Sequence, residues 1–226
     1  MGKQVSATVQ RVVAISPDDG TEIDLRDPAV AAALSWLVPG LGQLWQGRRS
    51  KGLLFLVAIG GILLAGLWFG GGKVAYCLWS PGARRIEFIG QAGIGAVAVP
   101  AVIQSWSLAT TGSPLLPGGP FVPPLLRNQP VSAAYAARLE RTEPGMTFVR
   151  DPTGRQARST VDELSVWYLG LGRFFDIGTL YVTIAGLLNL LAVYDAWAGP
   201  LHEAEPEGDT QTAARAGRGR RREAGP

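Results

Sequence analysis

The residues best suited by type to do chemistry are polar or charged side chains that interrupt apolar segments of the sequence. They are Gln43, Glu87, Gln91, Gln104, Asp176, Thr179, Thr183, Asn189 and Asp195. A proton relay or a substrate path across a membrane would need carboxylates in the middle of an apolar segment. The acids here lie near segment ends, where they can cap helices or reach lipid headgroups. Hydrogen bonds between helices, worth about 0.5–2 kcal/mol each, are sufficient to explain the amides and threonines.

The sequence contains one cysteine, Cys77, and one histidine, His202. A disulfide within the chain and a cysteine-rich metal site are therefore excluded. A nucleophile activated by histidine is disfavoured for the same reason. We predict no catalytic residue, no cofactor site and no metal site, and we expect a protein that is not an enzyme.

A polar stripe follows the last apolar segment at spacings of three or four residues. It consists of Asp176, Thr179, Thr183, Gly186 and Asn189. This spacing places the side chains on one face of a helix, and inside a bilayer such a face must contact protein or water. One interpretation is a packed face, with Asn189 bonded across helices to Gln43, Gln91 or Gln104. The other is a water-lined groove that binds a solute.

The element that must position these groups begins at Asp27. Asp27 can cap a helix and Pro28 suits its first position, where no N–H is needed. Pro39 then interrupts the apolar run, because it cannot donate to the carbonyl of Ser35. A basic turn follows, and a fully apolar helix begins at Gly52.

This stretch carries a family resemblance. Pro39-Gly40-Leu41-Gly42-Gln43-Leu44-Trp45, with Gly47, Lys51 and Gly52, resembles the Pro-Gly-x-Gly-Gln-x-aromatic signature of bacterial two-transmembrane-helix hairpin proteins. The run from Gly178 to Ala196 is similar to an uncharacterised bacterial multi-span family. The resemblance implies an architecture and a location in the bacterial cytoplasmic membrane, and it implies no activity.

Composition supports the same fold class. The 226 residues are 47% hydrophobic and 17% charged, and the apolar residues form blocks. Block segregation is typical of membrane spans. We predict an all-α integral membrane protein with four hydrophobic helical segments, a hairpin plus two further spans. The segments are 28–46, 52–70, 86–107 and 174–199.

The remaining residues are predicted to lie outside the membrane. They form a polar arm (1–27), a Pro- and Gly-rich connection with an interfacial helix (108–173) and a disordered tail, acidic then basic (200–226). Within the connection we expect a short helix over 132–140 and a strand with a turn from Met146. The cap of the interfacial helix is assigned to Thr160. Segment 28–46 either spans or is re-entrant, and charge counting does not settle the orientation.

The partners expected are the lipid bilayer, anionic lipid at the tail arginines, and a second copy or another membrane protein. Each basic residue near an acidic membrane surface contributes about 1 kcal/mol. A nucleic-acid partner is not expected, since the tail lacks interleaved aromatics. We predict a non-enzymatic membrane scaffold or interaction protein. The alternative is a small transporter or a lipid- or solute-binding protein that uses the polar face of the last span.

Overall fold

The computed structural model describes residues 13–15, 22–24, 27–80 and 83–199, and they are mostly helical. Two helices are long and apolar enough to cross a membrane, α3 (Arg49–Phe69) and α8 (Arg173–Ala198). They correspond to the predicted segments 52–70 and 174–199. The other two predicted segments are not single helices, because each is divided by a turn.

Segment 28–46 forms two short helices, α1 (Pro28–Leu37) and α2 (Leu41–Trp45). The side chain of Asp27 accepts a hydrogen bond from Val30 N at 3.1 Å, as the sequence predicts. The first helix ends before Pro39, and Gly40 takes a left-handed φ of 81° that allows the chain to turn. Packing of Gly42 against Ala31 shows that α2 folds back along α1.

Segment 86–107 also divides, into α4 (Glu87–Gln91) and α5 (Gly95–Thr111). The sequence predicts one span kinked at Pro100. Pro100 instead lies inside α5, and the break falls at residues 92–94, where Gly93 contacts another helix through its backbone. Phe88 of α4 packs with Ala98 and Ala101 of α5, so these two helices also form a hairpin.

Helix α8 is the element against which the others pack. It contacts α1, α2, α3, α4 and α7. Its contact with α3 is close, since a Cβ on Gly178 would lie under 3.0 Å from the backbone of Gly66 and Gly70. Gly66 and Gly70 therefore serve packing within the chain, whereas Gly61 has open space around its Cβ position.

The connection between α5 and α8 folds around a small core of its own. It contains β5 (Pro130–Ser132), α6 (Ala133–Thr142), β6 (Phe148–Arg150), β7 (Gln156–Ser159) and α7 (Glu163–Leu171). The strands form one antiparallel sheet in the order β5-β7-β6. The predicted short helix and the strand after Met146 are confirmed. The cap of α7 is Asp162, not Thr160, because the Asp162 side chain accepts from Leu164 N.

The expectation of an all-α protein missed these strands. They are short, of three or four residues, and contain too few alternating positions to be predicted from the sequence. Two further strand pairs are β1 (Val13–Ile15) with β2 (Glu22–Asp24) and β3 (Trp79–Ser80) with β4 (Ala83–Arg84). The rest of the predicted arm and the tail, 200–226, lie outside the described residues.

Candidate functional site

The glycines of the Pro-Gly motif allow backbones to pack in direct contact. A Cβ on Gly40 would overlap the carbonyl of Gly52, at the start of α3. The sequence predicts that Gly40 and Gly42 pack against segment 52–70 or the last span. For Gly40 this is confirmed. Gly42 instead packs against Ala31 of α1, because α2 folds back onto the preceding helix.

The amide of Gln43 joins this hairpin to α8. Its Oε1 accepts from Ser35 Oγ at 3.1 Å, and its Nε2 donates to the carbonyl of Ala192 at 2.6 Å. Gln46 adds a second link, donating to the carbonyl of Ala196 at 2.8 Å. Gln46 was not among the predicted site residues. Its spacing of three residues from Gln43, which places both amides on one side of the α2 turn, is the feature of the sequence that indicates its role.

An ionic cluster, which we name the Asp195 cluster, closes the end of α8. The carboxylate of Asp195 lies 2.9 Å from Arg48 Nη1 and 2.6 Å from Lys51 Nζ. Gly47 takes a φ of 87° in the turn that brings Arg48 towards Asp195. Trp45 is half exposed, on the outer side of this turn. The motif residues thus hold the α1–α2 hairpin and the start of α3 against α8.

Asn189 lies at the meeting point of the two broken segments, which we name the junction. Its Nδ2 donates to the carbonyls of Ser35 at 3.0 Å, Trp36 at 3.3 Å and Gly93 at 2.9 Å. Trp36 Nε1 donates across the same contact to the carbonyl of Ala92 at 3.0 Å. Asn189 is fully buried and bonded across helices, as the packed-face interpretation predicts.

The predicted partners of Asn189 were wrong. Gln43 bonds α8 elsewhere, Gln91 Nε2 donates to the carbonyl of Val74, and Gln104 bonds Leu116. Asn189 instead donates to free backbone carbonyls in the turns at residues 35–36 and 93. Carbonyls at the ends of short helices lack partners within the helix, so a buried donor stabilises them.

The junction is packed backbone against backbone. A Cβ on Gly93 would overlap the carbonyl of Gly186, and a Cβ on Gly186 would overlap the carbonyl of Gly90. Gly186 of the predicted polar stripe is therefore a site of close approach. No solute fits between α8 and the turn at residues 92–94 at this point.

The other half of the polar stripe lines a cavity of about 550 Å³, which we name the Arg85 cleft. Asp176, Thr179 and Thr183 lie on its α8 wall. Arg85 lies against the same wall, and its Nη2 donates to Thr179 Oγ1 at 3.1 Å. The polar stripe thus divides into a half that is packed against other helices and a half that faces a cavity.

Arg85 is a buried cation that sequence analysis did not single out. Its guanidinium stacks 3.8 Å above the ring of Tyr76, and burial lowers its pKa. The nearest carboxylate oxygen, on Glu87, is 4.0 Å from Nε. Burial also raises the pKa of Tyr76 to about 12, so that ring is neutral beside the cation.

A family model described as a family of unknown function, DUF6677, matches residues 30–208. The chain belongs to the DUF6677 family. None of the curated proteins and none of the solved structures matches it. The matched residues contain the junction, the Asp195 cluster and the Arg85 cleft, so all three belong to the family domain.

A second ionic region of this DUF6677 chain lies where the loop after α3 meets the connection. Lys73 Nζ is 2.7 Å from Glu143 Oε1 beside a cavity of about 380 Å³. Glu163 lines the same cavity and accepts from Leu125 N at 2.8 Å. Burial raises the pKa of Glu163 to about 7. Within the described part of the chain, no group of three or more His, Cys, Asp or Glu side chains is placed to hold a metal ion.

Proposed function

We propose that this DUF6677 protein is an integral membrane protein that acts without catalysis, as a scaffold holding a small folded domain at one face of the bilayer. Support comes first from the outer surfaces of α3 and α8. Leu54, Leu64 and Trp68 of α3 and Leu191 of α8 are well exposed, and Trp68 is 84% exposed. Apolar surface of this extent is rare on soluble monomers and suits contact with lipid.

The proposed topology has two spans and two re-entrant hairpins. Helix α1 has 10 residues, about 15 Å of length, which is half of the ~30 Å hydrocarbon core. It therefore enters to the level of Asn189, turns at Pro39, and leaves on the side where α3 begins. Helices α4 and α5 enter from the opposite side and turn at Gly93.

Re-entrant backbone is tolerated at membrane depth only where protein buries its free polar groups. Here Asn189 donates hydrogen bonds to carbonyls of both turns, and Trp36 donates to the carbonyl of Ala92, so these polar groups have protein partners. This topology places the arm, the basic turn at 48–51 and the tail on one side. The loop 70–86 and residues 112–172 lie on the other. We assign the first side to the bacterial cytoplasm, because both the basic turn at 48–51 and the arginines of the tail belong to it.

The observation that carries the scaffold proposal is the packed junction. A channel or transporter built from two opposed re-entrant hairpins would use the space between their turns. Here the Trp36 ring fills that space, since a Cβ on Gly95 would lie 2.8 Å from it, and Asn189 bonds carbonyls of both turns. The embedded part therefore serves to anchor the domain formed by β5–β7, α6 and α7, with a membrane protein or a second copy as the expected partner.

Cysteine accessibility tests the topology. In a Cys77→Ser background, single cysteines replace Arg49, Lys73, Arg141 and Arg220, and intact cells are treated with a membrane-impermeant thiol reagent. We expect the cysteines at 73 and 141 to be labelled from one side and those at 49 and 220 from the other. Labelling of 49 and 141 from the same side would contradict the two re-entrant hairpins.

Permeability separates a scaffold from a transporter. The full chain is reconstituted in vesicles, and leakage of protons, K⁺ and a small uncharged solute is compared with protein-free vesicles. A scaffold leaves each rate unchanged. A raised rate that falls in the Gly93→Ala variant, and not in the matched Gly61→Ala variant, would favour the transporter instead.

The arginine tail is proposed as a weak anchor to anionic lipid, at about 1 kcal/mol for each basic residue near the surface. A peptide of residues 213–226 should bind vesicles containing anionic lipid at low salt. Deletion of these residues should leave the amount of protein in the membrane unchanged. Equal binding of the peptide to neutral vesicles would remove this proposal.

A further inference from the structure

Arg85 is buried without a close counter-ion in the part of the chain that the structure describes. Its side chain is 8% exposed, and the one carboxylate there that approaches it is that of Glu87, 4.0 Å from Nε. Its Nη1 has no hydrogen-bond acceptor among the described residues. Burying a cation without full pairing is unfavourable, and stacking on Tyr76 compensates for only part of this cost. The Nη1 of Arg85 can therefore still donate a hydrogen bond to an oxygen atom of a ligand.

The Arg85 cleft carries charge of both signs. Arg84 and Arg85 supply the cations, and Glu87, Asp162 and Asp176 supply the anions. Asp162 is already used, because it caps α7. Asp176 accepts from Tyr168 Oη at 3.0 Å and is exposed, and the Glu87 side chain is 51% exposed. A purely anionic ligand would meet these carboxylates, so the cleft favours a ligand that carries both charges.

We propose that the Arg85 cleft binds the headgroup of a zwitterionic phospholipid with a primary ammonium, that is, phosphatidylethanolamine. The phosphate contacts the guanidinium of Arg85, since a guanidinium fork matches phosphate oxygens. The ammonium contacts Asp176 and Glu87 at the rim. Three N–H donors suit these two carboxylates, whereas the trimethylammonium of phosphatidylcholine has none.

The position of the cleft fits a lipid. It lies beside the first turns of α8, at the level of the headgroups in the proposed topology. The exposed apolar side chains Leu180 and Leu187 continue from it along α8, and Ile86 and Ile89 are exposed on the adjoining segment. An acyl chain can follow this surface into the hydrocarbon. The inference thus rests on the proposed membrane embedding, and it adds the chemical class of the lipid.

Lipid titration of the purified full chain in mild detergent tests the proposal. Binding of phosphatidylethanolamine, phosphatidylcholine and phosphatidylglycerol with identical acyl chains is measured by the shift in Tm and by the lipid retained. We expect phosphatidylethanolamine to bind about tenfold more tightly than either other lipid. Arg85→Met should weaken it by about tenfold, the usual loss for a hydrogen bond to a charged group. Arg141→Met, at an exposed position of α6, is the matched control and should change nothing.

A second variant keeps the test decisive where Arg85→Met disturbs the fold. Asp176→Asn preserves an acceptor for Tyr168 and should reduce the preference for phosphatidylethanolamine over phosphatidylglycerol to less than about threefold. Equal binding of all three lipids, or an unchanged preference in Asp176→Asn, would overturn the proposal. Binding of glycerophosphoethanolamine as tight as that of the lipid would also overturn it, by pointing to a free solute. Detergent binding is independent of the cysteine mapping, so either proposal can fail alone.

Discussion

Arg48 and Asp195 pair at 2.9 Å although 147 residues separate them in sequence. The Arg48 side chain is 5% exposed and that of Asp195 is 21% exposed. The pair joins the turn before α3 to the end of α8, and Gln43 and Lys51 bond the same carboxylate. The basic turn of the Pro-Gly motif therefore fixes the α1–α2 hairpin against the last helix.

Asp195→Asn should lower the free energy of unfolding by about 2 kcal/mol. Breaking a fully buried pair costs roughly 3–5 kcal/mol, and the partial exposure of Asp195 reduces this figure. The loss arises because Arg48 is left buried without its counter-ion. Denaturant unfolding in detergent measures the change. Glu140→Gln breaks the exposed pair with Arg150 and should cost less than ~1 kcal/mol. Equal effects of the two variants would contradict this role of Asp195.

Asn189→Leu should also destabilise the fold, by about 2 kcal/mol. The substitution removes donation to the carbonyls of Ser35, Trp36 and Gly93 and leaves them buried without a partner. Leu191→Ala, on the exposed side of α8, is the control and should have little effect in detergent. Thermal stability of Asn189→Leu equal to that of the unmodified chain would show that the junction does not depend on this amide.

Alanine at Gly93 or Gly186 should be more damaging than at any exposed glycine. The added methyl overlaps a carbonyl of the facing backbone, which cannot move aside as a flexible side chain can. We expect a loss of at least about 2 kcal/mol. Gly61→Ala is the matched control, because nothing lies within 4 Å of its Cβ position. Its effect should be near zero or stabilising, since alanine favours a helix by about 1 kcal/mol over glycine.

Glu163 should make the stability of the connection depend on pH. Its pKa is raised from 4.5 to about 7, so between these values the folded state holds a proton that the unfolded state has released. Stability is therefore highest at acid pH and falls as the pH rises through this window, by about 2 kcal/mol between pH 5 and 8. Lys73, Glu143 and Tyr135 line the same cavity. Tm measured across this range reports the change.

Glu163→Gln provides the control for this pH dependence. The glutamine carbonyl can still accept from Leu125 N, so the fold should be retained. We expect its Tm to vary less between pH 5 and 8 than that of the unmodified chain. Parallel pH curves for the two proteins would show that another group is responsible.

Much of the local structure follows from the sequence. Asp27 and Pro28 set the start of α1, Pro39 and Gly40 set its end, and the long apolar runs form α3 and α8. Helical spacing placed Asp176 to Asn189 on one face, and the chain's own helices do cover part of that face. These features depend on backbone propensities and side-chain periodicity within a few turns, which a sequence displays directly.

Only the tertiary structure decided what those residues contact. Asn189 bonds carbonyls of residues 35–36 and 93, and every amino acid carries a carbonyl, so no residue type marks the partner. The break falls at residues 92–94, where Gly93 approaches Gly186, and not at Pro100, which lies inside α5. Arg85 lies in the loop between α3 and α4, and it is buried because its side chain packs on Tyr76 and bonds Thr179 of α8. Burial and long-range pairing depend on which helix ends meet in space, and the local periodicity of a sequence does not contain this information.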